Sequence, residues 1–156
     1  MPLEVGQIAP DFTLPDSHGT EVTLSELRGG PVVIWFYPKD KTPSCTKEAC
    51  SFSEHNGAFE ELGVATLGIS KDSPKSHLGF IEKYGLRTRL LSDLDREVLK
   101  AYSAWGEKKL YGKIVLGTTR STVLIDAEGR IAKLWPKVKV KGHVEEVLEA
   151  AKELLS

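Results

Sequence analysis

Two cysteines five positions apart, Cys45 and Cys50, are the residues of this sequence best suited to covalent chemistry. They lie in the segment PKDKTPSCTKEAC, which directly follows an apolar run at 32–37 that predicts a buried strand. Thr42 and Pro43 are residue types favoured at the cap and the first position of a helix. Cys45 would then occupy the first helical turn, where unpartnered backbone N–H groups and the helix dipole favour the nucleophilic thiolate. The sequence therefore predicts a reactive cysteine at a strand-to-helix junction, with a buried structural cysteine as the alternative.

The spacing of the two cysteines also limits how they could pair. In an intact helix, Cα atoms at this spacing lie about 8 to 9 Å apart, whereas a disulfide requires about 4.4 to 6.8 Å. A redox cycle that joins Cys45 to Cys50 would therefore have to unwind the first turns of the helix. A zinc site is a rival use of the pair, but a single C-x4-C with His55 nearby is not usual zinc spacing. A cysteine hydrolase would need a positioned imidazole. The remaining histidines are His18, His77 and His143.

The elements around the cysteines follow an α/β order. Two short strands at 12–14 and 22–24, joined by a turn at 15–19, predict a β-hairpin near the start of the chain. Further strands are predicted at 32–37, 64–70, 90–91, 121–125 and 131–135, and helices at 43–62, 74–84, 95–102 and 144–155. Residues 105–119 hold three glycines and predict a loop. We therefore expect one domain over residues 1–156, with a mixed central sheet flanked by helices and an N-terminal β-hairpin extension; thioredoxin-like topology fits this order.

Composition and charge narrow the class of protein. The 21 Lys and Arg residues nearly balance the 22 Asp and Glu residues, and the net charge of -1 does not suggest binding to nucleic acid or to a membrane surface. The first residues, MPLEVGQIAPDF, lack the basic and apolar regions of a signal peptide, and no apolar run is long enough to span a bilayer. We expect a cytoplasmic protein, and in a reducing compartment a close cysteine pair is more often catalytic, redox-sensing or metal-binding than a permanent crosslink.

Several motifs together resemble those of the peroxiredoxin family. The pattern Pro38-x-x-x-Thr42-x-x-Cys45 matches the family's PxxxTxxC signature, and FYPKDKTPSCTKEAC is similar to the bacterioferritin comigratory protein or peroxiredoxin Q subgroup. Further similarity lies in APDFTLPDSHGTEVTLSELRG, WGEKKLYGK and RSTVLIDAEGRI, so the resemblance covers nearly the whole chain. Ser44 stands where this subgroup usually has glycine, and we expect it to alter the backbone locally without loss of activity.

The resemblance implies a role for each residue of the site. Cys45 would be the peroxidatic cysteine, whose thiolate attacks the terminal oxygen of a peroxide and becomes a sulfenic acid. Thr42 would hydrogen-bond the peroxide and the thiolate, and Pro38 would shield the sulfur from water. Arg120 would stabilise the thiolate and the charge that develops as the O–O bond breaks. Glu48 could orient Arg120, although an acid complementing the dipole in the first helical turn explains it equally well.

Cys50 would, on the same resemblance, be the resolving cysteine. It would form an intramolecular disulfide with Cys45 after local unfolding, and thioredoxin or a similar dithiol protein would reduce that bond. The implied activity is an atypical 2-Cys, thioredoxin-dependent peroxidase for hydrogen peroxide and organic hydroperoxides, without a metal or cofactor, as a monomer or weak homodimer. The competing class is a thiol sensor or binding module that relays oxidation to a partner without significant turnover.

Overall fold

A five-stranded mixed sheet forms the centre of the protein, whose computed structural model describes residues 3–156. The strands are β1 (Thr13–Pro15), β2 (Glu21–Thr23), β3 (Val32–Phe36), β4 (Ala65–Ser70), β5 (Arg89–Ser92), β6 (Trp105–Leu110), β7 (Lys113–Thr118), β8 (Ser121–Ile125) and β9 (Ile131–Trp135). The helices are α1 (Pro43–Glu61), α2 (Pro74–Tyr84), α3 (Glu97–Ala101) and α4 (His143–Leu155). The central sheet has the order β5-β4-β3-β8-β9. Strands β3, β4 and β5 are parallel, β8 is antiparallel to β3, and β9 is antiparallel to β8.

Strand β3 is the middle strand and ends where the cysteine segment begins. All five of its residues are buried, because the sheet is covered on both faces, and this explains its unbroken apolar sequence. The indole of Trp35 stacks between the rings of Tyr37, at 4.7 Å, and Phe52, at 4.9 Å between centroids. Gly68 in β4 makes room for that indole, since a Cβ atom there would lie 2.5 Å from Cζ2 of Trp35. These contacts fix the end of β3, from which the cysteine segment continues.

Two apolar layers cover the sheet. Helices α1, α2 and α4 pack on one face, and the β1–β2 hairpin and α3 pack on the other. The residues that carry these contacts are Phe52, Phe59, Phe80 and Val147 on the first face, and Leu14, Val22 and Leu99 on the second. The predicted mixed sheet flanked by helices, with its N-terminal β-hairpin, is confirmed. Most predicted elements begin and end within two residues of the observed ones.

The prediction of a loop at 105–119 was wrong. Strands β6 and β7 form an antiparallel hairpin there, joined by the two-residue turn Tyr111–Gly112. Both turn residues have positive φ, 52° and 77°, as the type I′ turns of tight hairpins require. Two of the glycines that suggested a loop, Gly106 and Gly117, are instead directly opposite each other in the hairpin. A short 3-10 helix at Leu24–Leu27 follows β2 and was also not predicted.

Candidate active site

Both cysteines lie on helix α1, which is continuous from Pro43 to Glu61. Their thiols are free, as the predicted geometry of an intact helix requires. Cys45 is buried, with 1% of its surface exposed, and packs in the apolar layer that contains Trp35. Cys50 is partly exposed, and desolvation together with the charge of Glu54 raises the pKa of its thiol. In this conformation Cys50 is therefore held in the protonated form.

Arg120 connects Cys45 to Glu48. It directly precedes β8, and the antiparallel pairing of β8 with β3 brings it beside the N-terminal part of α1. Its Nη1 donates to Oε1 of Glu48 at 2.5 Å, and its Nη2 donates to Sγ of Cys45 at 3.3 Å. Glu48 lies beyond the first turn of α1, so the alternative that it complements the helix dipole in that turn was wrong. The observed arrangement is a sulfur, a guanidinium and a carboxylate in direct contact.

Burial changes the acid–base properties of Glu48 and Arg120. Glu48 is fully buried, and desolvation raises the pKa of its carboxyl to about 7 even though Arg120 acts to lower it. Its second oxygen, Oε2, contacts no hydrogen-bond donor among residues 3–156. Desolvation by itself would lower the pKa of Arg120, but the charges of Glu48 and Cys45 outweigh it, and the net pKa is raised. The guanidinium therefore stays charged while Glu48 titrates near neutral pH.

The segment Pro38–Thr42 forms the loop between β3 and α1. Thr42 occupies the N-cap position, as predicted, but its hydroxyl makes no capping hydrogen bond to the helix. Oγ1 instead donates to the carbonyl oxygen of Lys39 at 2.9 Å, which leaves the oxygen lone pairs as acceptors. Pro38 is half-buried and shares the lining of a cavity with Arg120. Lys41 has a φ of 66°, an uncommon conformation for a residue with a side chain.

Two open cavities meet at Arg120, with volumes of about 650 and 570 Å³. Six lysines line them, against the two acidic residues Glu107 and Glu145. The lysines are Lys108, Lys109 and Lys137 in the first cavity, and Lys47, Lys139 and Lys141 in the second. We call these six residues the lysine rim. The sequence did not reveal it, because its members come from three segments that only the fold brings together.

The sequence also did not reveal two residues that hold this loop, Asp40 within it and His77 behind it. The carboxylate of Asp40 accepts a hydrogen bond from the Tyr37 hydroxyl at 2.6 Å and contacts Nδ1 of His77 at 2.8 Å. The sequence suggested His77 only as a possible hydrolase imidazole. Its Nε2 reaches the carbonyl oxygen of Leu91, and among the described residues no histidine is hydrogen-bonded to Cys45. The only sequence signal for this pair was an acid between Pro38 and Thr42.

The described part of the chain offers no evident metal centre. Residues 3–156 hold no group of three or more His, Cys, Asp or Glu side chains placed to bind a metal ion. No helix within those residues is long and apolar enough to cross a membrane.

The chain is similar to a known family of proteins. Residues 5–134 match the AhpC/TSA family. The chain belongs to this family and is a peroxiredoxin, a class of thiol peroxidases with a thioredoxin-like fold. Within the class it falls in the Bcp, or peroxiredoxin Q, subgroup.

The relatives cover nearly the full length of the chain. It is 51% identical over 148 residues to the bcp protein of Coxiella burnetii, covering 95% of this chain and 98% of the relative. It is 46% identical over 154 residues to peroxiredoxin Bcp of Bacillus subtilis, covering 99% and 98%. A structure of the Xanthomonas campestris bacterioferritin comigratory protein, from work on its alkyl peroxide reduction activity, superposes with a TM-score of 0.91 at 42% identity, covering 99% and 98% of the two chains.

Proposed function

We propose that this protein reduces hydroperoxides through Cys45 and Cys50 and is recycled by thioredoxin or a similar dithiol protein. The observation that carries the proposal is the pair of hydrogen bonds from one guanidinium, that of Arg120, to the sulfur of Cys45 and the carboxylate of Glu48. A partly buried cation in contact with a buried sulfur stabilises a thiolate and the negative charge of its transition state. Membership of the Bcp subgroup supports the same assignment.

The first half of the cycle oxidises Cys45. Its thiolate attacks the terminal oxygen of ROOH, an S–O bond forms, the O–O bond breaks, and RO⁻ leaves and takes up a proton as ROH. The product at Cys45 is a sulfenic acid. Arg120 stabilises the developing alkoxide charge, and the lone pairs of Thr42 Oγ1 accept a hydrogen bond from the bound hydroperoxide, because the Thr42 proton is already donated to Lys39. Pro38 covers the pocket and limits access of water.

The second half of the cycle forms a disulfide. The sulfur of Cys50 attacks the sulfenic sulfur of Cys45, an S–S bond forms, and water leaves with one proton from the Cys50 thiol. Since both cysteines lie on the continuous helix α1, its first turns must unwind for this step. That end of the helix has no side-chain cap and no acidic residue in its first turn, so it lacks two features that stabilise helix N-termini. A dithiol reductant then restores both thiols by exchange.

The test is a peroxidase assay with hydrogen peroxide and an alkyl hydroperoxide, with thioredoxin, thioredoxin reductase and NADPH as donor. Cys45→Ser should abolish turnover. Cys50→Ser should consume about one equivalent of peroxide and then stop. Peptide mapping of the wild type after one equivalent should find an intrachain bond between the two residues. A Cys45-to-Cys45 bond between chains, or full turnover by Cys50→Ser, would refute the proposed cycle.

The alkyl peroxide reduction activity named for the Xanthomonas campestris relative favours including organic hydroperoxides among the substrates. The rival function is a thiol sensor that passes oxidation to a partner protein. It predicts stoichiometric mixed disulfides with that partner and no sustained NADPH consumption, so the same assay separates the two.

A further inference from the structure

A buried polar network anchors the Pro38–Thr42 loop from behind. Its centre is the carboxylate of Asp40, which accepts from Tyr37 at 2.6 Å, from Ser76 Oγ at 2.8 Å and lies 2.8 Å from Nδ1 of His77. The His77 side chain is completely buried, and the Asp40 side chain is 2% exposed. Because these side chains are shielded from water, each of their polar groups depends on a hydrogen-bond partner inside the protein.

Those partners fix the orientation of the His77 ring. Nε2 faces the carbonyl oxygen of Leu91 at 3.0 Å, and a carbonyl oxygen only accepts, so Nε2 carries a proton. Nδ1 lies 2.8 Å from a carboxylate oxygen of Asp40 and 3.3 Å from the Tyr37 hydroxyl. The same carboxylate accepts from Tyr37 and Ser76. Both ring nitrogens are therefore held by partners inside the protein.

The same region holds the loop through its backbone. Asp72 accepts from the backbone N–H of Asp40 at 2.9 Å, and Nζ of Lys71 donates to the carbonyl oxygen of Pro38 at 2.9 Å. Ser70 fixes Asp72 with a hydrogen bond of 2.7 Å. These contacts come from Tyr37 just after β3, from the end of β4 and the β4–α2 connection, or from the start of α2. None of them comes from α1, the helix that the proposed cycle unwinds. Helix α1 bonds the last residue of the loop, since the backbone N–H of Thr46 donates to the carbonyl oxygen of Thr42 at 2.8 Å.

We propose that His77 is a positioning residue for the peroxide reaction: held between Asp40 and Leu91, it anchors the loop at Asp40 through contacts that do not involve helix α1. This inference rests on the proposed function. When the first turns of α1 unwind to form the disulfide, the loop stays anchored at Pro38 and Asp40, and the helix rewinds against these fixed residues.

The experiment separates positioning from thiolate formation. In the Cys50→Ser background, His77→Gln is compared with the parent in two reactions of Cys45: oxidation by hydrogen peroxide and alkylation by iodoacetamide. Peroxide must be oriented by the loop, whereas alkylation needs the thiolate alone. We expect the second-order rate constant with peroxide to fall about 10- to 100-fold, the scale of a slightly misplaced reactant. The alkylation rate should change less than about 2-fold, since His77 acts through the loop and not on the sulfur.

The matched control is Ser73→Ala in the same background. Ser73 caps α2, the helix that carries His77, by accepting from the backbone N–H of Ser76, so its loss weakens that helix without removing an Asp40 contact. It should leave both rates near the parent values. A fall of both rates together in His77→Gln, no fall in either, or the same pattern in Ser73→Ala would overturn the proposal.

A measurement on the unmodified protein covers a variant that fails to fold. The Nε2 proton of His77 faces the carbonyl oxygen of Leu91 in a fully buried site, so its NMR signal should be resolved and exchange slowly with solvent. Rapid exchange of this proton would overturn the proposal, because the network would then not be rigid. If the Cys50→Ser parent does not react with peroxide, the proposed function fails, while this signal still reports separately on the His77 network.

Discussion

Glu48 is a fully buried carboxyl whose only hydrogen-bond partner among the described residues is Arg120. The pKa of Glu48 is raised from 4.5 to about 7, so the folded protein binds this proton more tightly than the unfolded chain does. A raised pKa contributes stability that is complete below the unfolded value and is lost as pH rises through the folded value. The window of loss therefore runs from about pH 4.5 to about 7.

Glu48→Gln removes this titration and keeps an oxygen that accepts from Arg120. Relative to the wild type, the free energy of unfolding of the variant should improve by roughly 2 to 3 kcal/mol as the pH rises from 5 to 8. Urea denaturation of both proteins at the two pH values measures it. Equal pH dependence in the two proteins would contradict the raised pKa of Glu48.

Arg120 contacts two partners with one planar group, which a lysine cannot do with the same geometry. Arg120→Lys should therefore lower the second-order rate constant of Cys45 with peroxide about 100-fold, the loss typical of one preorganised donor. Stopped-flow kinetics measures it. The matched control is Arg130→Lys, which alters an exposed arginine bonded to the Gly6 carbonyl and should react like the wild type. Similar rates for both variants would remove Arg120 from the reaction.

The sequence identifies site residues best where they lie close together along the chain. Pro38, Thr42, Cys45 and Cys50 lie within one short segment whose spacing indicates its chemistry. The contact of Arg120 with Cys45 joins residues 75 positions apart, and only the family resemblance suggested it. The contact of His77 with Asp40 joins residues 37 positions apart and had no motif to mark it. Such contacts depend on strand order, which local patterns do not encode.

Among the elements, the β6–β7 hairpin was missed because the glycines of residues 105–119 suggested a loop and its turn sequence is not a common one for hairpins. Its type I′ geometry requires positive φ at both turn residues. Asn-Gly is a recognised sequence signal for this turn, whereas Tyr-Gly is not. The strands themselves, WGEKKL and KIVLGT, lack strict alternation of apolar and polar residues. The central strands and long helices were predictable because their burial imposes a clear pattern of apolar residues on the sequence.

Tyr111→Asn should stabilise this hairpin. Tyr111 has a φ of 52° and is 95% exposed, so its ring contributes little packing, whereas asparagine adopts positive φ more readily. We expect a gain of about 0.5 kcal/mol in the free energy of unfolding. Thermal denaturation measures it, with Gly112→Ala as the opposite change, because alanine is strained at a φ of 77°. A loss of stability in Tyr111→Asn would show that the ring matters more than the turn.

For the molecule as a whole, the distribution of charge matters more than its sum. The net charge is only -1, yet the lysine rim concentrates positive charge around Arg120, which contacts Cys45. Such a field raises the local concentration of anions and is screened by salt. Composition could not predict it, since the rim is balanced by acids elsewhere.

Iodoacetate and iodoacetamide have nearly the same size and differ in charge, so they test this field. In Cys50→Ser, the rate of Cys45 alkylation by iodoacetate relative to iodoacetamide should fall several-fold, roughly 3- to 10-fold, as salt rises from about 0.02 to 0.5 M. Replacing Lys139 and Lys141 by Gln should reduce this salt dependence, while Lys83→Gln on α2 should not. A ratio independent of salt would mean that the rim does not act on small anions.

The stacking of Trp35 between Tyr37 and Phe52 has an optical consequence. Phe52 lies on the same helix as both cysteines, just beyond the part that the proposed cycle unwinds, so formation of the proposed disulfide should change the surroundings of the indole. One equivalent of peroxide should therefore change the intrinsic fluorescence, and Trp35→Phe should abolish the change while Trp105→Phe preserves it. A signal that survives in Trp35→Phe would place its origin elsewhere. With the expected result, the intrinsic fluorescence of Trp35 reports the conformation of helix α1 in real time and without an added dye.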